Sequence, residues 1–430
     1  MALPAFLAAC PAPAEIGQVD LDAALDRIET LESELASLKA QVGQAEGYDD
    51  AALKVRVDKL ETDALRYISE HTTLNVPADF ATVPDAISWL QGYGISGDVN
   101  VTVQIADGLY KHTEGFGVDH RDGSRIRIRG NEDDPSKVIL QFTGTADGIW
   151  VVRGRSLGRL SGVTVSAVEP QDGAVGIWIG ESAALRCNKG VIVEGFDVGI
   201  TAAYNSSVRC DGAIAQNNNN EGFLAMRSSS LRAHGAIADN NGGDGFLVLD
   251  ASSGDLDDAQ ATNNGTEDWH SGFASVRGSS IRGFNTTSSG NSGAGYNAIF
   301  SSALEAGGST SSNNGGEGYG AHNSSSIRAG GDGATSSKNQ IGMSAQHTST
   351  IVAWGGISIL DNKEQGVMAG SSSAVDISGS TIRNNGEFGV NAFWGSFIQA
   401  SDVTVNSGHT YDYNLTPSSN STETSSVFSR

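Results

Sequence analysis

The chain is poor in the residues that staple or punctuate small folds: 430 residues hold only 3 cysteines and 8 prolines. Cys10, Cys187 and Cys210 show no CxxC spacing, which argues against a zinc site or a disulfide framework. Basic residues are scarce as well, 27 Lys and Arg against 50 Asp and Glu, for a formal net charge of −23. That balance excludes nucleic acid as the expected partner. No apolar run reaches the roughly 18 residues needed to span a membrane, so no insertion is expected. Met1 to Cys10 ends in Leu7-Ala8-Ala9-Cys10, similar to a lipoprotein cleavage box, but it lacks a basic residue and is too short to serve as one. No phosphate loop, HExxH, EF-hand or Ser-His-Asp order is present, so neither a metal nor a cofactor is expected.

What is abundant is glycine, 55 residues, and it is periodic. The phrase Gly222-Phe223 returns as Gly245-Phe246, Gly272-Phe273, Gly295-Tyr296, Gly318-Tyr319 and Gly342-Met343, at steps of 23, 27, 23, 23 and 24 residues. It extends back through Gly199-Ile200 and Gly176-Ile177 to Gly148-Ile149, and forward to Gly366-Val367 and Gly389-Val390, which makes 11 units. Such self-similarity means stacked units, each too small to bury its own apolar face. The fold class is therefore an all-β solenoid, a parallel β-helix of about 11 coils of about 23 residues. Cys187 and Cys210 fall at equivalent positions of neighbouring units and should stack, as free buried thiols in preference to a disulfide.

Counting from each glycine, strand alternation turns positions one, three, nine and eleven inward, as in Phe223, Ala225, Leu231 and Ala233. Phe223, Phe246, Phe273, Tyr296 and Tyr319 then form an inner stack, and the asparagines near the turn can ladder their amides. Positions two and four face out but are apolar in Trp150, Trp178, Leu224, Met226, Leu247, Leu249, Val276 and Ile299. A strand apolar on both faces is covered on both faces, so this stripe is expected to pack against a neighbouring subunit, the alternative being an exposed glycan cleft.

Upstream, Leu21, Ile28, Leu35 and Val42 share one heptad seam with Ala24, Leu31 and Leu38, and a second register resumes at Leu53, Val57, Leu60, Ala64 and Tyr67. Two short parallel coiled coils are expected, holding a homotrimer or, since mixed Leu and Ile leave strand number open, a dimer. The domain plan reads 1–16 as an attachment segment, 17–67 as stalk, 68–147 as capping helix and first coils, 148–406 as repeated β-helix and 407–430 as cap or tail.

The phrase Phe80-Ala81-Thr82-Val83, a helix over about 84–91, and an alternating strand running into Asp107-Gly108-Leu109-Tyr110 resemble the opening of pectate-lyase-like right-handed parallel β-helices. Joined to a coiled coil, the whole resembles bacteriophage tailspike and tail-fibre proteins. That resemblance implies attachment to a tail or baseplate protein through the N-terminus, a place on the virion, and binding of a host surface polysaccharide. A depolymerase of the same shape and a cell-surface adhesin are the other readings.

Candidate glycan contacts lie at positions five and ten, where Arg209, Arg227, Arg232, Asp250, Arg277, Arg282 and Phe300 project, and in the insertion 265–271, which carries Trp269 and His270. Guanidinium forks and aromatic faces suit sugars, although salt-bridge ladders one coil apart explain the same arginines. Glycosidic hydrolysis needs two carboxyls roughly 5 to 9.5 Å apart, for which Asp250 with Asp255, or Glu267 with Asp268 near Asp244, are the candidates.

Overall fold

The computed structural model describes residues 32–37, 40, 66–143, 147–168, 172–188, 190–267, 269–406, 411–415, 420–424 and 427–428. The chain divides into two units, Met1–Ala64 and Leu65–Arg430. In the first, residues 32–37 are helical and Leu35 is exposed in the single chain. The other seam residues named for the coiled coils, Leu21, Ala24, Ile28, Leu31, Leu38, Val42, Leu53, Val57, Leu60 and Ala64, lie outside the described residues; Tyr67 falls in the strand Arg66–Ile68 and not in a helix.

The second unit opens with a two-stranded parallel pair, Arg66–Ile68 with Tyr93–Ile95, and a capping helix, α1 (Val83–Leu90). Thr82 caps α1 through its hydroxyl while the Asp85 carboxylate returns to the Thr82 amide, a reciprocal box that satisfies two otherwise orphaned donors. Its buried face, Val83, Ala86, Ile87 and Leu90, closes the apolar end of the solenoid.

Beyond it, three parallel sheets run the length of this unit. The first has 15 strands, from Thr72–Val76 to Asn420–Thr424; the second 14, from Gly108–His112 to Val427–Phe428; the third 13, from Phe116–Gly117 to Tyr411–Leu415. Each turn contributes one strand to the third sheet, then the first, then the second, and neighbouring turns pair in register, as in Phe223↔Phe246, Leu231↔Gly254 and Ala238↔Ala261. The turns number about 14 rather than 11. The glycine phrase undercounts because the turns before Gly148 lack it, and because strands within 407–430 extend all three ladders.

The inner columns follow from the alternation. Phe223, Phe246 and Phe273 are fully buried. Their rings and those of Tyr296 and Tyr319 stack at centroid distances of 4.7, 5.0, 5.1 and 4.8 Å, nearly parallel. Two polar columns line the corners. Asn218, Asn241, Asn264, Asn291, Asn314, Asn339, Asn362 and Asn385 are buried; from Asn241 on, each side-chain oxygen accepts the backbone N–H of the asparagine one turn earlier, while that of Asn218 accepts from the Phe196 amide. The amide nitrogens continue the chain, for example Asn241 Nδ2 to Asn264 Oδ1 at 2.9 Å. A serine column does the same at another corner, with the amides of Ser206, Ser229 and Ser252 donating to the hydroxyls of Ser229, Ser252 and Ser279, each at 3.1 Å. The recurring glycine is required by the first column: a Cβ on Gly222 would sit 2.9 Å from Asn241 Nδ2 and 2.8 Å from the Gly245 carbonyl.

Cys187 and Cys210 pair directly across neighbouring turns with Cα atoms 4.3 Å apart, and the structure joins them as a disulfide instead of leaving the expected free thiols. Parallel in-register pairing brings equivalent side chains to one strand spacing, close enough for sulfur atoms to bond.

Replacing Phe246 by Ala should cost about 3–5 kcal/mol in chemical unfolding, and Phe246→Leu about 1.5 kcal/mol or less, because the ring fills a column with no room to relax. Equal costs for the two variants would remove the aromatic stack as a main stabiliser.

Candidate functional site

The outward face of the first sheet carries two columns. One is small: Ser207, Ser230, Ser253 and Ser280. The other is charged, with Arg186, Arg209, Arg232, Asp255, Arg282, Glu305 and Arg328 in consecutive register. Between these columns runs a groove of about 390 Å³, lined among others by Arg186, Arg209, Arg232, Ser207, Ser230 and Asp255.

Three arginines one strand spacing apart repel, and the next turn of chain answers them. Asp211 accepts from Arg209 at 2.7 Å and Arg232 at 3.2 Å. Burial pushes the Asp211 carboxyl up, but hydrogen bonds from Arg209 and the His234 amide, with the charges of Arg209 and Arg232, outweigh it and hold the group below its ordinary value. Arg282 spans Asp255 and Asp257, 2.8 Å to each, and His234 approaches Asp255 at 2.9 Å. The position-ten residues therefore form a ladder of ion pairs. Arg186 is the exposed member with no ion pair among the described residues, so the upstream end of the groove keeps a spare positive charge.

Position five forms the corner between the third and first sheets. Tyr204, Arg227, Asp250, Arg277, Phe300, Asn323, His347 and Trp394 all have φ between 52° and 57°, the left-handed region that bulky residues avoid. The strain recurs whatever the side chain, so it belongs to the corner and not to one site. Its effect is to aim large groups outward: Tyr204, Phe300 and Trp394 are 45%, 51% and 69% exposed. Arg227 lies over the Tyr204 ring at 4.5 Å, and Arg277 pairs with Asp250 at 3.5 Å. Trp269 and His270 sit elsewhere, in the turn between the second and third sheets, with Trp269 Nε1 donating to His270 Nε2 at 2.9 Å. The candidate glycan residues thus divide between two corners separated by the third sheet. On that sheet's outer face Trp178, Leu224, Met226, Leu247, Leu249 and Ile299 are half-buried in the single chain.

The candidate catalytic acids are not brought together as a free pair. Asp250 is bound to Arg277, and Asp255 to Arg282 and His234. Asp268 lies outside the described residues. The carboxyls with raised values are others. Glu221 is pushed up by burial and by the charge of Asp197. Asp244, one turn later, is pushed up to about 7 by burial, with the Ser271 amide opposing and Glu221 adding to the shift. The signal for them was in the repeat, since Glu221 and Asp244 each directly precede the phrase glycine.

Residues 114–266 match the family model described as a right handed beta helix region. The solenoid is a right-handed parallel β-helix. Among solved structures, the β-helix resembles the catalytic unit of a thermostable GH87 alpha-1,3-glucanase from Streptomyces thermodiastaticus strain HF3-3, with 13% identity and a TM-score of 0.50 over 85% of this chain and 69% of that one. The A-module of mannuronan C-5 epimerase AlgE6 from Azotobacter vinelandii aligns over 82% of this chain and 95% of that one, at 17% identity and a TM-score of 0.49. At such identities the likeness is one of fold. No curated protein matches the sequence.

Because the folded value of Asp244 lies above its ordinary 3.8, its contribution to stability is full below pH 3.8 and is lost as pH rises towards about 7. Asp244→Asn should flatten the stability profile across that window, measured by unfolding at stepped pH. A wild-type slope in the variant would assign the titration to another group.

Proposed function

We propose that this chain recognises a host surface polysaccharide, as the tail fibre or tailspike of a phage-like particle, along the groove and corner of the first sheet. The observation that carries the reading is the groove itself: arginine forks along one side, serine hydroxyls along the other, and exposed Tyr204 and Phe300 on the adjoining corner. Planar donors and hydroxyls meet sugar hydroxyls, while aromatic faces meet the C–H face of a ring. Arg186, with no ion pair among the described residues, favours a glycan bearing carboxylate groups. A fold on which a glucanase is also built is compatible with this reading, and the argument rests on the surface and not on that likeness.

The particle role, the place on a virion and the attachment of residues 1–16 to a tail or baseplate protein rest on the order of segments in the sequence, a heptad stalk followed by a β-helix. A trimer is supported by those heptads and by the half-buried apolar stripe of the third sheet, and three copies would multiply a weak single-site affinity.

Hydrolysis is the second reading, and one observation favours it. Asp244, raised to about 7, lies one turn from Glu221, which burial also pushes up, so two carboxyls stand at one corner and one of them can carry a proton near neutral pH, as a general acid for glycoside cleavage must.

Incubating the purified protein with capsular and lipopolysaccharide fractions separates the two. Binding without new reducing ends or unsaturated uronate is expected, and Arg232→Ala should weaken it about tenfold, the loss of one charge-assisted contact. Unchanged binding in that variant would remove the groove. Leu247→Asp should lower the oligomer mass seen by sedimentation, since it places an unpaired charge in the subunit contact; an unaffected oligomer would free the stripe from that role.

A further inference from the structure

A second concavity lies on a different edge of the molecule, in the turns that join the first sheet to the second. It measures about 500 Å³ and belongs to no residue so far assigned a role except Arg328. Phe284 stands at one end, after the strand Ser280–Arg282, and Trp354 at the other, after Thr350–Ala353. They are three turns apart, about 14 Å at one strand spacing per turn. The two intervening turns supply Gly307-Gly308 and Gly330-Gly331, so the floor between the rings is bare backbone.

That floor is held flat by the same ladder as the rest of the helix. Asn285 N–H donates to the Gly307 carbonyl at 2.9 Å, Gly308 to Gly330 at 2.8 Å and Gly331 to Gly356 at 3.1 Å. Gly330 and Gly331 have φ of 111° and 97°, which explains glycine there by conformation alone. Gly307 has no such requirement. A Cβ on it would lie 2.8 Å from the Phe284 ring, so its bareness serves the ring, which lies over the next turn.

Each wall is an aromatic ring set by an arginine. The Arg282 guanidinium carbon lies 4.9 Å from the Phe284 centroid, and that of Arg328 5.2 Å from Trp354. Trp354 nevertheless keeps 63% of its surface exposed. A tryptophan fixed in place and left open is a stacking platform, since a ring that served only packing would be covered. Asn285 and Asp332 at the rim, with Arg328, offer amide, carboxylate and guanidinium groups to hydroxyls. The charges leave no positive surplus, because Arg328 already meets Glu305 at 3.5 Å and Asp332 adds a negative group.

From these features we infer that the trough binds a short neutral oligosaccharide segment laid along the helix axis, with a pyranose ring on Trp354. The inference rests on the polysaccharide reading and deepens it: the Arg186 end of the first groove takes acidic sugar units, and this trough takes uncharged ones. No titrating pair lines it, so it holds the chain and does not cut it.

The test is calorimetric titration of the full chain with neutral gluco-, manno- and galacto-hexasaccharides and with oligogalacturonate, at low and high salt. Trp354→Ala should weaken binding of a neutral hexasaccharide about tenfold, the worth of one aromatic stacking contact, with the thermal unfolding midpoint unchanged. Trp354→Phe should restore most of it, Arg232→Ala should leave it within about twofold, and salt should leave it alone. Neutral binding that ignores Trp354→Ala, or oligogalacturonate binding alone that is lost in Arg232→Ala, overturns the trough while leaving the first groove standing. No binding of any saccharide overturns the polysaccharide reading and the trough together.

Discussion

Everything in this molecule depends on the requirement that each buried asparagine amide find its partner one turn away. The Asn218 to Asn385 column is enclosed, and a side-chain amide cut off from water costs about 1–3 kcal/mol if it is left unpaired. A slip of register by one residue would strand every member at once, and it would turn the stacked rings from Phe223 to Tyr319 outward. The apolar stack supplies most of the driving force, while the amide column supplies uniqueness. The glycine before each ring exists because no side chain fits between the two.

Such rigid register has a consequence for the surface. Outward residues cannot wander, so chemistry repeats along the axis as columns, and like charges are forced to within a strand spacing of one another. The position-ten column shows how this is relieved: Asp211 and Asp257, two residues beyond the column, meet Arg209 of their own turn or the arginine of the next turn, and acids within the column, Asp255 and Glu305, pair with the next arginine. Ion pairs of this exposure contribute little to stability. Their larger effect is to hold guanidinium planes at set spacings along the axis.

The carboxyls that escape pairing sit at another corner. Glu221 and Asp244 precede the ring phrase, beside the insertion that carries Trp269, and burial there is not offset by any arginine among their described contacts. One sheet thus separates a face whose charges are matched from an edge whose acids are driven towards neutrality. Matched ion pairs and buried acids make opposite electrostatic demands, and the solenoid can host both because its faces are chemically independent.

Much of this was legible in the chain itself. The glycine phrase and its period determined the solenoid, the inner stack and the amide ladder, because a unit of about 23 residues is too small to bury its own apolar face and does so only by stacking on its neighbours. The phrase Phe80-Ala81-Thr82-Val83 and the helix after it announced the cap, and the structure added the Thr82–Asp85 capping box. Only the folded structure decided the number of turns, since the early strands carry no phrase, and the Cys187–Cys210 bond, since sulfur contact depends on the height between turns. It also decided which charges are spare. The sequence left Asp250 and Asp255 open between a carboxyl pair and rungs of a salt-bridge ladder until their arginines were placed, and Phe284 and Trp354 lay 70 residues apart with nothing to connect them. Pairing and proximity across turns are properties of three dimensions, and a period along the sequence records only which residues share a column.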